Sequence, residues 1–311
     1  MSARTFIVGT RGSRLALRQT EIALEALRGA HPSRILATRT IQTSGDRSAA
    51  SLSEIGGRGV FVIEIESALL AREIDIAVHS LKDLPSEETA GLTIAATLRR
   101  DDPRDALVSR CGARLADLPP GATVATGSPR RAVQVIAARP DVVVSDIRGN
   151  VDTRVRKVED GEYDAAVLAA AGLKRLGWLE RAAQVFEPEE MLPAVGQGAL
   201  AVQTRSEDKE TLAIVAAMDD PATRAAVTAE RAFERRLGGG CSAAIGGYAT
   251  LSPGPSADRA PLLLRGLVGE PGGRILRGEM EGVASEADML GVRLAEYLIG
   301  QGAEELLGAA P

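Results

Sequence analysis

The chain has 311 residues, 45% of them apolar, and a formal net charge of −5 at pH 7. That length predicts two or three domains with sizeable cores, and the acidic balance excludes a molecule shaped as a whole for nucleic acid. Two cysteines (Cys111, Cys241) and two histidines (His31, His79) give neither a disulfide framework nor a zinc spacing.

Phe6-Ile7-Val8-Gly9 reads as a buried strand and Thr10-Arg11-Gly12-Ser13 as the turn after it. Leu15, Gln19, Ile22, Ala23, Ala26 and Leu27 then recur at helical spacing. Ile35 to Ile41 predicts a second strand. Gly56-Gly57-Arg58-Gly59 predicts a flexible loop ahead of a helix with Phe61, Ile65, Ala68 and Leu69 on one face. Ile74 to Val78 predicts a short strand running into His79-Ser80-Leu81-Lys82-Asp83.

Near residue 105 the same grammar returns. Ala122 to Ala125 is a strand, and Thr126-Gly127-Ser128-Pro129-Arg130-Arg131 opens a helix, with Ser128 as N-cap and Pro129 at the first helical position. Val142 to Ser145 is the next strand, followed by Asp146-Ile147-Arg148-Gly149-Asn150 and another helix. Ala165 to Leu168 is a further strand, and Gly172 to Gly177 closes the run. Strand, Thr/Gly/Ser turn with arginine, then helix occurs in both regions, a weak echo that suggests two similar α/β lobes.

Pro188, Pro193 and Gly196-Gln197-Gly198 mark a boundary or hinge. Ala199 to Gln203 predicts a strand returning to the first lobe. A small α+β region follows, with a helix over Thr223 to Leu237, strands at Ala243 to Ala249, Leu262 to Val268 and Arg274 to Gly278, and a helix from about Ser285 to Ile299. The expected division is 1–98 with 199–216, then 104–192, then 221–311. The N-terminus shows no signal-peptide pattern and no uncharged window reaches membrane-spanning length, so a cytoplasmic setting is expected.

Four turns at strand ends carry cations beside small or hydroxyl residues: Arg11 with Ser13, Lys82 with Asp83, Arg130 and Arg131 after Thr126 and Ser128, and Arg148 with Arg154. In open α/β sheets ligands bind off the carboxyl ends of strands. Helix starts and arginine forks favour anions. No Gly-rich run ending in Gly-Lys-Ser/Thr is present, so this is no P-loop. Asp83 is an acid among cations, placed either to fix its loop or to steady positive charge on a substrate. Cys241 sits in Gly238-Gly239-Gly240-Cys241-Ser242, where glycines leave room beside the sulfur.

These residues resemble the porphobilinogen deaminase family. The resemblance runs through Thr10 to Ser13, Gly56 to Phe61, Asp75 to Pro85, Arg100 to Ala106, Arg130-Arg131, Ile147 to Arg154, Leu173 to Gly177, Leu192 to Gly198 and the Gly239-Gly240-Cys241 loop. It implies two periplasmic-binding-protein-like lobes around a cleft, plus a small C-terminal α+β domain. It implies a dipyrromethane cofactor held on Cys241 by a thioether and used as primer. Four porphobilinogen units add in turn, each losing ammonia, and hydrolysis releases the linear tetrapyrrole hydroxymethylbilane.

On this resemblance Arg11, Arg130, Arg131, Arg148 and Arg154 hold acetate and propionate arms, with Ser13, Lys82, Thr126 and Ser128 assisting. Arg175 and Gln197 join the substrate set, Arg58 and Phe61 lie in a mobile loop, and no metal is implied. Asp83 faces the pyrrole N–H groups and stabilises the azafulvene-like cation left by ammonia. Porphobilinogen and the growing chain are the implied partners, with no nucleic acid or membrane and a monomeric state. Arg58 stands where lysine is usual, Gly127-Ser128-Pro129 replaces Ser-Ser-Leu, and Ser242-Ala243-Ala244 replaces a bulkier stretch. The competing reading is a non-catalytic small-anion-binding protein of the same two-lobe fold; it accounts for the arginines but not for Asp83 or the glycine-framed Cys241. A regulator's effector domain lacks a DNA-binding segment here. A cysteine hydrolase would have to recruit His31 or His79 as its base.

Overall fold

The computed structural model describes residues 4–43, 62–238 and 243–308. Strand β1 (Thr5–Arg11) leads into helix α1 (Arg14–Ala30), then β2 (Ile35–Ile41), α2 (Ile63–Leu70), β3 (Ile76–Ser80) and β4 (Leu92–Thr97). Next come β5 (Asp105–Ser109), β6 (Thr123–Ala125), α3 (Pro129–Ala138), β7 (Val143–Ser145), α4 (Val151–Glu159), β8 (Ala165–Ala169), α5 (Ala170–Arg175) and β9 (Gln184–Val185). The chain continues through β10 (Leu200–Arg205), α6 (Lys209–Val215) and α7 (Pro221–Arg236). It ends with β11 (Ala244–Leu251), β12 (Pro261–Gly269), β13 (Ile275–Val283), α8 (Ala287–Ile299) and α9 (Ala303–Gly308).

These elements divide into two compact units, residues 1–101 with 199–224 and residues 102–198 with 225–311. In the first unit the strand order is β2-β1-β3-β10-β4. β1 runs parallel to β2 and β3, while β10 is antiparallel to β3 and β4. Phe6, Val8, Ile76, Val78 and Val202 face α1 and α6, burying Leu24, Leu27 and Ile214. Ala77 and Leu92 face the other way, onto Ile65 and Leu69 of α2. The two-residue alternation of a strand thus feeds two separate cores. β3 starts two residues later than the apolar run predicts. The N–H groups of Glu73 and Ile74 both reach the Ala68 carbonyl, so Ile74 closes α2 before the strand begins.

The second unit repeats this order with other strands. Its sheet is β7-β6-β8-β5-β9, with β6 parallel to β7 and β8, and β5 antiparallel to β8 and β9. β6 therefore stands where β1 stands, β8 where β3 stands, and β5 where β10 stands. Leu107, Val124 and Val167 pack with Val135 of α3 on one face. Ala106, Val108, Ala166 and Leu168 pack with Val155 and Val158 of α4 on the other. The same unit contains an antiparallel sheet, β11-β12-β13, with its own core of Phe233, Leu264, Leu290, Leu294 and Leu298. β13 extends past the predicted Gly278 to Val283 and pairs residue by residue with β12. Glu279 and Glu281 alternate outward on this edge strand, where carboxylates stay in water.

Candidate functional site

β1 and β3 are parallel neighbours, so their carboxyl ends lie side by side. That brings Arg11, at the end of β1, near Asp83, two residues into the 3-10 turn Leu81–Asp83 that follows β3. Leu81 anchors this turn. It is 1% exposed, its N–H bonds the Ala199 carbonyl at 3.0 Å, and burial of such a side chain contributes about 2 kcal/mol. Lys82 and Asp83 are half-buried. Ser13 caps α1, its Oγ accepting from the Ala16 N–H at 3.2 Å. Arg11, Gln19, His79, Ser80 and Asp83 line one small cavity, with Val62, Ile65 and Val78 as its apolar walls. Gln19 Nε2 donates to Ser80 Oγ at 2.8 Å. Burial lowers the pKa of His79 to about 4, the Gln203 hydrogen bond opposes this, and the Arg11 charge adds to it.

The second unit builds a corresponding edge from β6, β7 and β8. Thr126 N–H bonds the Ser145 carbonyl at 2.8 Å, which draws the turn after β6 against the turn after β7. A Cβ on Gly127 would lie 3.1 Å from the Ile147 carbonyl oxygen and 3.2 Å from Asp146 Oδ1. The glycine in place of a serine matches this close approach. Thr126 Oγ1 accepts from the Ser128 N–H at 3.2 Å. Ser128 holds the N-cap position of α3 with Pro129 behind it, but its hydroxyl makes no capping bond. Arg148 Nε donates to Asp146 at 2.8 Å, and Arg154 Nε to the Gly149 carbonyl at 2.7 Å. Gly149, at φ 109°, makes the tight turn between them. Arg175 Nη2 donates to the Gly198 carbonyl at 2.7 Å.

Arg130, Arg131 and Gln197 form a different group. They converge on Asp105, which is fully buried. Arg130 Nη1 reaches Asp105 Oδ2 at 2.8 Å and Arg131 Nη2 reaches Oδ1 at 2.7 Å. Gln197 Nε2 donates to Oδ1 at 2.9 Å and to the Pro103 carbonyl at 2.8 Å. Burial pushes the Asp105 carboxyl up; Arg130, Arg131 and the Gln197 bond more than reverse this and hold it well below the usual carboxylate range. Arg130 also donates to the Leu192 carbonyl and Arg131 to that of Val167. The arginine pair thus locks β5, β8 and the segment at Leu192 around one acid.

Among the described residues the structure therefore gathers Arg11, Ser13, Lys82 and Asp83 on one strand edge. It gathers Thr126, Ser128 and Arg148 on another, and Arg130, Arg131 and Gln197 around Asp105. Cys241, Arg58 and Phe61 lie outside the described residues. Sequence reasoning gave no role to Asp105, Gln19 or Glu230. Asp105 opens an apolar strand, where an inward charge must be paired; that was its signal. Glu230, fully buried, takes the Gly196 N–H at 2.7 Å and the Ala249 N–H at 2.8 Å, fastening Gly196 to β11. Its signal, an acid on the apolar face of α7, is visible only once that face is known.

Among solved structures, the high-arginine-specificity periplasmic binding protein of Salmonella typhimurium overlays with a TM-score of 0.42 at 12% identity, over 71% of this chain and 94% of that one. The periplasmic aliphatic sulphonate binding protein of Escherichia coli gives 0.41 at 13%, over 75% and 70%. The two sheet orders, not these overlays, carry the fold. The sequence relatives are nearer. Residues 6–213 match the family profile described as porphobilinogen deaminase, dipyromethane cofactor binding domain, and residues 224–300 match the porphobilinogen deaminase C-terminal domain. The porphobilinogen deaminase of Roseiflexus sp. (strain RS-1) is 50% identical over 305 residues, 98% of this chain and 99% of its own length. That of Thermus thermophilus is 48% identical over 305 residues, 98% of each. With both profiles matched in order and half the residues shared from end to end, the chain belongs to the porphobilinogen deaminase family.

Proposed function

We propose that the chain carries out its family's reaction, the stepwise condensation of four porphobilinogen units with loss of ammonia and hydrolytic release of hydroxymethylbilane, in tetrapyrrole biosynthesis. The observation that carries this reading is that Arg11 and Asp83, from the ends of neighbouring strands, line one cavity in a chain matched by both family profiles. A lone anion-binding site has no use for the carboxylate.

The donor set fits the family's dipyrromethane group. Its arms are carboxylates, and the Thr126–Ser128 turn with Arg148 offers hydroxyl, backbone and guanidinium donors on one edge. When bound through Cys241, the group supplies the nucleophilic pyrrole carbon to which units are added. Cys241 holds it, with residues 221–311 as the domain that carries the thiol. Arg148, Arg154 and Arg175 take substrate carboxylates, and Arg11 and Lys82 screen them. The Asp105 contacts favour a scaffolding share in the work of Arg130, Arg131 and Gln197, which keep the β8 edge in place for the other arginines. Asp83 keeps a negative charge where the pyrrole turns positive as ammonia leaves, and accepts the proton released when the ring regains aromaticity. Arg58 and Phe61 keep the loop role that the family resemblance gives them. We place the protein in the cytoplasm as a monomer acting on porphobilinogen and the growing chain, without nucleic acid or membrane; no helix among the described residues is long and apolar enough to cross a bilayer.

The test is intact-protein mass spectrometry on wild type and Cys241→Ser, with ammonia release from porphobilinogen measured beside it. An added mass equal to dipyrromethane in wild type, absent from the variant, together with turnover only in wild type, is the expected result. Bare polypeptide mass in wild type even after incubation with porphobilinogen would favour the binding-protein reading.

A further inference from the structure

A hydrogen-bonded chain leads from the back of the first unit to the cavity that holds Arg11 and Asp83. Glu66 is 8% exposed and Gln203 2% exposed. Glu66 accepts at both oxygens: from Thr89 Oγ1 at 2.7 Å and from Gln203 Nε2 at 2.7 Å. A carboxylate only accepts, so the Gln203 amide must turn its NH2 to Glu66 and its carbonyl oxygen away. That oxygen meets His79 Nε2 at 3.0 Å. An oxygen cannot donate, so Nε2 carries the ring proton. In a neutral imidazole the other nitrogen, Nδ1, is then a bare lone pair. Burial keeps the ring neutral, since the pKa lies near 4. His79 is 6% exposed, its ring lines the cavity beside Arg11, Ser80 and Asp83, and Nδ1 has no hydrogen-bond partner among the described residues.

We propose that His79 contacts substrate: its Nδ1, held as an acceptor by the Glu66–Gln203 chain, receives an N–H of the aminomethyl ammonium of the incoming porphobilinogen. This rests on the reaction proposed above. In that reaction the C–N bond breaks, the electron pair leaves with nitrogen, and ammonia departs with all three protons of the ammonium. An acceptor beside it must bind the N–H without taking the proton, because a neutral amine is a far poorer leaving group. An imidazole of ordinary basicity competes for that proton; the buried, weakly basic His79 does not. Asp83 remains the anion for the positive charge left on the ring.

Two substitutions separate this role from packing. His79→Gln places an amide where Nε2 was, keeping the Gln203 contact and deleting the Nδ1 acceptor. His79→Asn places an amide oxygen where Nδ1 was and gives up Gln203. With porphobilinogen and cofactor-loaded protein, His79→Gln is expected to lose about tenfold in kcat/KM, the worth of one hydrogen bond to a charged group, with its melting temperature kept. His79→Asn is expected to melt lower yet retain more kcat/KM than His79→Gln. The reverse order of activities overturns the proposal. A direct check uses 15N-histidine in a His31→Gln background, which leaves a single imidazole. Nδ1 should resonate in the unprotonated region in the substrate-free protein, and a protonated Nδ1 also overturns the proposal. Absence of ammonia release by wild type, with Nδ1 still unprotonated, would count against the reaction and so remove the basis for the proposed contact, leaving the tautomer itself intact.

Discussion

Asp105→Asn removes one charge and keeps the shape. In the wild type the two carboxylate oxygens take N–H groups from Arg130 at 2.8 Å, from Arg131 at 2.7 Å and from Gln197 at 2.9 Å. Asparagine offers one oxygen and turns an NH2 toward a guanidinium, so donor meets donor. Two guanidiniums, 3% and 7% exposed at their side chains, are then left without an anion. Removing one partner of a buried ion pair costs about 3–5 kcal/mol, a large share of the 5–15 kcal/mol or so that holds a protein folded. At about 2–4 °C per kcal/mol for chains near this size, the melting temperature should fall by about 10 °C. Differential scanning calorimetry of the purified variant measures it, with urea unfolding as the second probe. A loss under about 1 kcal/mol would refute the reasoning, for it would mean that both arginines are solvated and free to serve ligand carboxylates in full.

The same triad makes stability acid-sensitive. The Asp105 pKa is lowered by folding, so its contribution is complete above the ordinary carboxylate range and is lost progressively as pH falls through and below it, as an acid titration monitored by circular dichroism would show. His79 acts in a higher window. Its folded value, about 4, lies below the unfolded 6.5, so the unfolded chain gains a proton first; between these values about 3 kcal/mol is lost as pH falls, and wild type, matched to His79→Gln near neutral pH, should become less stable than that variant by this amount. Asp83→Asn should lower kcat about 100-fold or more with an unchanged melting temperature, whereas a purely structural Asp83 would lower stability along with rate. Arg148→Lys keeps the charge but loses the two-point fork; KM for porphobilinogen should rise severalfold, and an unchanged KM would remove Arg148 from the substrate set. Glu230→Ala strands the N–H groups of Gly196 and Ala249, each costing about 1–3 kcal/mol, which hydrogen exchange at those two amides would register as faster opening.

Element type was legible because strand and helix leave different periods in the chain. The alternation of Phe6 and Val8 against Ile7, and the helical spacing of Leu24 and Leu27, are printed in order along the backbone. The strand-to-helix turns that carry Arg11, Ser13, Thr126 and Ser128 were legible for the same reason: glycine, proline and hydroxyl residues punctuate locally. Even the echo between the two lobes was there, although only the matching sheet orders turn it into equivalence of β1 with β6. What the sequence could not hold is which charges find each other. Arg130 and Arg131 read the same as Arg148 and Arg154 on paper, yet the first two are sealed onto an acid 25 and 26 residues away while Arg148 keeps to Asp146, two residues off. His79 stood in the sequence only as part of the strand exit into Lys82 and Asp83, and its tautomer is set by Gln203, 124 residues later. Burial decides both cases. It removes the water that would otherwise solvate each charge or amide separately, and so forces a partner that only the tertiary fold can bring near.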